Sequence, residues 1–78
     1  MKKRSLTIAG HQTSIALEPE FWEGLEALAE RRGLRLALLI EEVDRTRDGP
    51  NLSSALRIAV LRAARDGTIQ EGRMGAPR

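Results

Sequence analysis

The sequence predicts a mostly α-helical fold with one short β-strand, and three observations carry that prediction. The stretch Gln12-Thr13-Ser14-Ile15-Ala16-Leu17 alternates, with Thr13, Ile15 and Leu17 on one side and Gln12, Ser14 and Ala16 on the other. This is the period-two pattern of a half-buried strand. Three longer segments, about 19–32, 34–47 and 51–66, place apolar residues at helical spacing. The punctuation between them, Gly33 and then Asp48-Gly49-Pro50, is of the kind that stops helices. A solitary strand leaves its backbone groups unpaired and its edges open. Residues 12–17 must therefore pair either with the few residues upstream, as a hairpin, or with the same strand of a second copy.

At 78 residues the chain holds one domain, of a size at which a single core is only marginally stabilising. With no cysteine it has no disulfide to reinforce that core and no Cys/His cluster for a structural zinc, so oligomerisation is the remaining common remedy. No run approaches the roughly 20 apolar residues of a membrane span. Lys2-Lys3-Arg4 is not followed by the apolar core of a signal peptide, because Thr7, Gly10, His11 and Gln12 interrupt it. A cytoplasmic protein with no membrane association is expected. The net charge of +2 is unevenly spread. Residues 1–17 carry three Lys or Arg and no acid, and residues 18–32 carry five glutamates against two arginines. A positive strand end suits an anionic partner.

Residues 1–11 form a basic N-terminal arm or an extra strand. Ser5-Leu6-Thr7-Ile8 alternates too, but its apolar positions are even-numbered whereas those of 12–17 are odd-numbered. One continuous strand would turn the two sets to opposite faces, so a break is expected near Ala9-Gly10-His11. The first helix spans Pro19 to Arg32, with proline in the first turn, Glu20 and Glu23 near the positive dipole end, and Arg31 and Arg32 near the other. Its inner face is Phe21, Leu25, Leu28 and Ala29, with Trp22 beside it, and Gly33 ends it. The second helix begins around 34–36 and runs to Arg47, burying Leu36, Leu39, Ile40 and Val43, with Leu38 as a second apolar edge. The third takes Asn51 as N-cap and runs to 65 or 66. Leu52, Ala55, Leu56, Ala59, Val60 and Ala63 form one face, and Ile58 and Leu61 lie off it. So wide an apolar surface calls for a second element or chain. A disordered tail is expected over 67–78.

Nothing points to catalysis, and no enzyme activity, metal or cofactor is expected. His11 has no cysteine or acid beside it. Ser5, Ser14, Ser53 and Ser54 lack a nucleophile-elbow context. Neither Gly10 nor Gly33 belongs to a phosphate-binding glycine loop, and Glu41-Glu42 reads as a solvated face.

The order of basic arm, strand, helix, glycine turn and helix resembles the ribbon-helix-helix family of DNA-binding proteins, of the CopG/Arc/MetJ type. The resemblance covers about residues 12–47 and rests on Gln12–Leu17, on Leu17-Glu18-Pro19-Glu20-Phe21, and on Leu28-Ala29-Glu30-Arg31-Arg32-Gly33-Leu34 leading to Leu39-Ile40. The whole chain is similar to a small bacterial subfamily with a third helix.

This resemblance implies an intertwined homodimer whose strands pair antiparallel about a two-fold axis into an intermolecular two-stranded sheet. The implied dimer core is Ile15, Leu17, Phe21, Trp22, Leu25, Leu28, Leu36, Leu39, Ile40 and Val43. The outer face of the ribbon is expected in the major groove of double-stranded DNA, with Gln12, Ser14 and Ala16 touching bases. Phosphates are expected on Lys2, Lys3 and Arg4, and at the start of the second helix on Arg35, Leu36 and Ala37. Two departures stand out. Arg35 occupies the position where the family places a Ser or Thr cap, and the outward triplet holds no basic residue, which shifts affinity onto the arm. The function implied is sequence-specific DNA binding by a transcriptional repressor. The alternatives are an antitoxin that also regulates its own transcription, or a protein-interaction module; in both, helix 51–66 is available to a protein partner.

Overall fold

Ala9 and Gly10 decide what the N-terminal residues do. Both have positive φ, 52° and 85°, the pair of left-handed conformations that a two-residue type I′ hairpin turn requires. The turn joins β1, Lys2–Ile8, to β2, His11–Leu17, in an antiparallel ribbon running from Ile8↔His11 to Lys2↔Leu17. The structure, a computed structural model, describes residues 1–47 and 49–67. In this register each even position faces an odd one, so Leu6 and Ile8 share a face with Thr13 and Ile15. The parity conflict in the sequence is what a two-residue reversal produces.

The chain thus has two strands where the sequence predicts one, and residues 2–8 form a strand, not an arm. The two-stranded sheet closes within the chain, whereas the family resemblance implied a sheet shared between two chains. The physical reason is local, because the turn brings β1 onto β2 at the shortest possible loop length.

The inner face of the ribbon lies on three helices: α1, Pro19–Arg32; α2, Leu36–Thr46; and α3, Leu52–Arg65. β1 packs against α2 and β2 against α3, and the helices pack against one another. Helix α1 ends in a left-handed Gly33, with Gly33 N–H donating to the Glu30 carbonyl and Leu34 N–H to the Ala29 carbonyl. These are the paired bonds of a Schellman motif. Asn51 caps α3, its side chain accepting from Ser54 N–H at 3.0 Å. Helix α2 stops at Thr46, one residue short of its predicted end. The predicted tail, beyond Gly67, lies outside the described residues, as does Asp48.

Leu17, Leu25, Leu39, Ile40 and Leu56 are fully enclosed, among Ile8, Ile15, Trp22, Leu28, Ala29, Val60 and Ala63. Of the side chains expected at a dimer core, only Phe21, Leu36 and Val43 are less than buried. The chain covers the rest by itself, with α3 supplying Leu56, Val60 and Ala63. Trp22 and Phe21 exchange their predicted places on α1. Trp22 is buried, its indole N–H donating to the Lys2 carbonyl at 2.8 Å beneath the start of β1. Phe21 is half-buried beside the Arg57 guanidinium.

That guanidinium also holds α3 to the entry of α1. Arg57 Nε and Nη2 donate to the two carboxylate oxygens of Glu18 at 2.9 and 3.3 Å. The bond from Arg57 holds the Glu18 carboxyl below its ordinary value of 4.5. A group depressed in the folded state stabilises above its unfolded pKa and loses that contribution as pH falls through the folded one. Melting temperature followed from pH 7 to about pH 3 is therefore expected to drop less steeply below about pH 4.5 in Glu18→Gln than in the wild type. Parallel curves would show that the link carries no pH dependence.

Candidate nucleic-acid interface

The pleat sends alternate side chains of the ribbon away from the helices. On this outer face Lys3 stands across from Ala16, Ser5 from Ser14, and Thr7 from Gln12. All are exposed except Ala16, which is half-buried. Gln12, Ser14 and Ala16 therefore point outward together, and β1 adds three side chains to them. Ser5 and Thr7 were not among the residues singled out from sequence. The signal was present in the even-numbered apolar run before Ala9-Gly10, which becomes informative once those two residues are read as a two-residue turn.

The basic triplet divides by the same alternation. Lys3 lies on the outer face, and Lys2 is exposed at the ribbon end. Neither makes an ion pair among the described residues. Arg4 turns inward, where its guanidinium sits 4.7 Å from the centre of the Trp22 ring and donates to Glu26 Oε2 at 2.9 Å. It is held by a cation–π contact and an ion pair at once. The outer face thus gains in Lys3 the basic group that the β2 triplet lacks.

The start of α2 is the other expected anion contact. Arg35 is its N-cap, extended and without a side-chain cap, and its carbonyl accepts from Leu38 and Leu39 N–H. The N–H groups of Leu36 and Ala37 belong to the first turn, which has no intrahelical acceptor. The Arg35 side chain is exposed, and Leu36 and Ala37 pack partly onto the core.

A third surface lies apart from the ribbon's outer face. Ile58 and Leu61 on α3 are 47% and 53% exposed. Between α2 and α3 runs an open groove of about 430 Å³, lined by Val43, Thr46, Arg47, Ile58, Ala59 and Arg62 among others. Among the described residues no cluster of His, Cys, Asp or Glu could hold a metal ion, and no helix is long and apolar enough to cross a membrane.

A two-stranded ribbon with a polar outer face, leading into two helices joined by a glycine turn, defines a ribbon-helix-helix protein. A family model described as a ribbon-helix-helix domain matches residues 1–64, and the chain belongs to that family. Members are generally DNA-binding transcription regulators or antitoxins, non-enzymatic and typically bound to DNA as dimers. Among solved structures the chain is similar to an uncharacterized protein from Bordetella pertussis Tohama I, with a TM-score of 0.68 and 34% identity. The match covers 95% of this chain and 66% of that one, so the chain spans about two thirds of its length. Comparison with curated proteins returns no match.

Proposed function

We propose that the protein binds double-stranded DNA sequence-specifically as a homodimer and acts as a transcriptional repressor. The observation that carries this reading is the outer face of the ribbon. It sets Lys3, Ser5, Thr7, Gln12, Ser14 and Ala16 on one surface, backed by the helices and narrow enough for the major groove. Gln12, Ser5, Ser14 and Thr7 offer hydrogen bonds to base edges, Ala16 offers a methyl contact to thymine, and Lys3 offers a charge to phosphate. Lys2, Arg35 and the N–H groups of Leu36 and Ala37 supply further phosphate contacts in this reading. Arg4 does not, because Glu26 and Trp22 occupy it.

The dimer follows from the open edges of the ribbon. β1 and β2 each pair on one side only, and no other described backbone group bonds to their outer edges. Two copies pairing their β2 edges about a two-fold axis would form a four-stranded sheet and bring two reading faces side by side, the geometry for a two-fold-related site.

Gel-shift titration against DNA selected from a random pool tests the proposal. Lys3→Ala is expected to weaken binding to all sequences alike and to reduce the slope of log K against log salt by about 0.9. Arg4→Ala is expected to lower the melting temperature and leave that slope unchanged. A wild-type protein that enriches no sequence at low salt would sink the reading.

One observation favours a second reading. Ile58 and Leu61 make an exposed apolar pair on α3 beside the α2–α3 groove, which suits a protein partner, as in an antitoxin. Copurification of a small partner, lost in Ile58→Asp, would identify that role.

A further inference from the structure

Among the described residues the outer face of the ribbon carries a single side-chain hydrogen bond, in which Thr7 Oγ1 donates to Gln12 Oε1 at 3.1 Å. The two residues are direct cross-strand partners, one step from the Ile8↔His11 pair that closes the turn. With a two-residue loop this step is a pair without backbone bonds between its members, where facing side chains lie closest. Thr7 is β-branched and stiff at χ1, so its hydroxyl is held in place by the strand. Gln12 is long and freely rotating, so the bond orients the mobile partner against the fixed one.

The consequence is chemical. A glutamine reads adenine bidentately by accepting from N6–H₂ through its amide oxygen while donating to N7 through its nitrogen. Here the oxygen is engaged by Thr7, and the Nε2 N–H groups are the part of the amide without a protein partner among the described residues. Two N–H donors match a base edge with two acceptors, and in the major groove that edge is guanine, through O6 and N7.

We propose that Thr7 is a positioning residue that turns Gln12 from an adenine reader into a donor that selects guanine. The inference rests on the DNA-binding reading of the ribbon face and adds to it a residue on β1 that sets the specificity of one on β2.

Selection from a random duplex pool with wild type, Gln12→Ala, Thr7→Ser and Thr7→Val tests it. Wild type is expected to select guanine at the position whose preference Gln12→Ala abolishes. Thr7→Ser, which keeps the hydroxyl, is expected to retain guanine. Thr7→Val, which keeps the branch and removes the hydroxyl, is expected to move the guanine-to-adenine ratio by roughly tenfold toward adenine. Thr7 is exposed, and circular dichroism melting verifies that the valine variant is folded; Thr7→Ala makes the same deletion if it is not. Identical selected sequences for Thr7→Val and wild type overturn the positioning role while leaving DNA binding intact, as does a serine variant that shifts like valine. A wild type that selects no sequence at all overturns the DNA-binding reading, and this inference with it.

Discussion

Leu56→Ala is expected to lower the stability of the folded chain by about 2–5 kcal/mol, the range for removing a fully enclosed leucine and leaving a cavity. Leu56 is 0% exposed and sits on α3, which touches α1, α2 and β2 together. For a domain of this size the loss corresponds to a fall in melting temperature on the order of 10–30 °C. Ile58, two residues on, is 47% exposed, and Ile58→Ala is expected to change stability by no more than about 0.5 kcal/mol. Thermal or urea denaturation of the two variants compares them. Equal, small losses would mean that α3 rests on the domain without completing its core.

The second large effect is expected where α1 and α3 approach most closely. A Cβ added at Gly24 would stand 2.5 Å from Val60 Cγ1. Valine is stiff at χ1, so the methyl has little freedom to withdraw. Gly24→Ala gains about 1 kcal/mol of helix propensity, but the overpacking costs about 1–3 kcal/mol, and a net loss is expected. In a Val60→Ala background the obstruction is gone, and the same substitution should stabilise by about 1 kcal/mol. Denaturant titration of the four proteins gives the coupling between the sites. Additive effects would show that the helices sit farther apart than the contact implies.

The three helices were legible because each carries its own boundary chemistry. Pro19 opens α1 and Gly33 closes it, and Asn51 caps α3. Such signals act within one turn of the chain and need no tertiary context. The outward set Gln12, Ser14 and Ala16 was legible for a similar reason, since alternation assigns faces once a strand is granted. The first strand was harder, because Ala9 is not a residue that announces a left-handed backbone. Only Gly10 marked the turn, and it was read as a break of undetermined kind. Trp22 was misplaced relative to Phe21 because helical periodicity weighs positions equally, whereas the Lys2 carbonyl gives the indole N–H a partner at depth.

Several features that matter most for the site join residues far apart in sequence. Arg4 is drawn inward by Glu26, twenty-two positions away, and Glu18 is bound by Arg57, thirty-nine away. Gly24 is required by Val60. Composition and periodicity carry no information on such pairs, because a charge or a glycine looks the same until its neighbour is known.

The order of elements, the helix ends, the family and the outward side chains of β2 could all be read from the residues alone, since they are properties of local backbone preference and of spacing along one element. Three outcomes could not: that β1 completes the ribbon within the chain, that Lys3 faces outward while Arg4 is held inward, and that α3 closes the core a second chain was expected to close. Those outcomes depend on which surfaces meet. They are fixed by a two-residue turn, one cross-strand register and the packing of three helices under a single sheet.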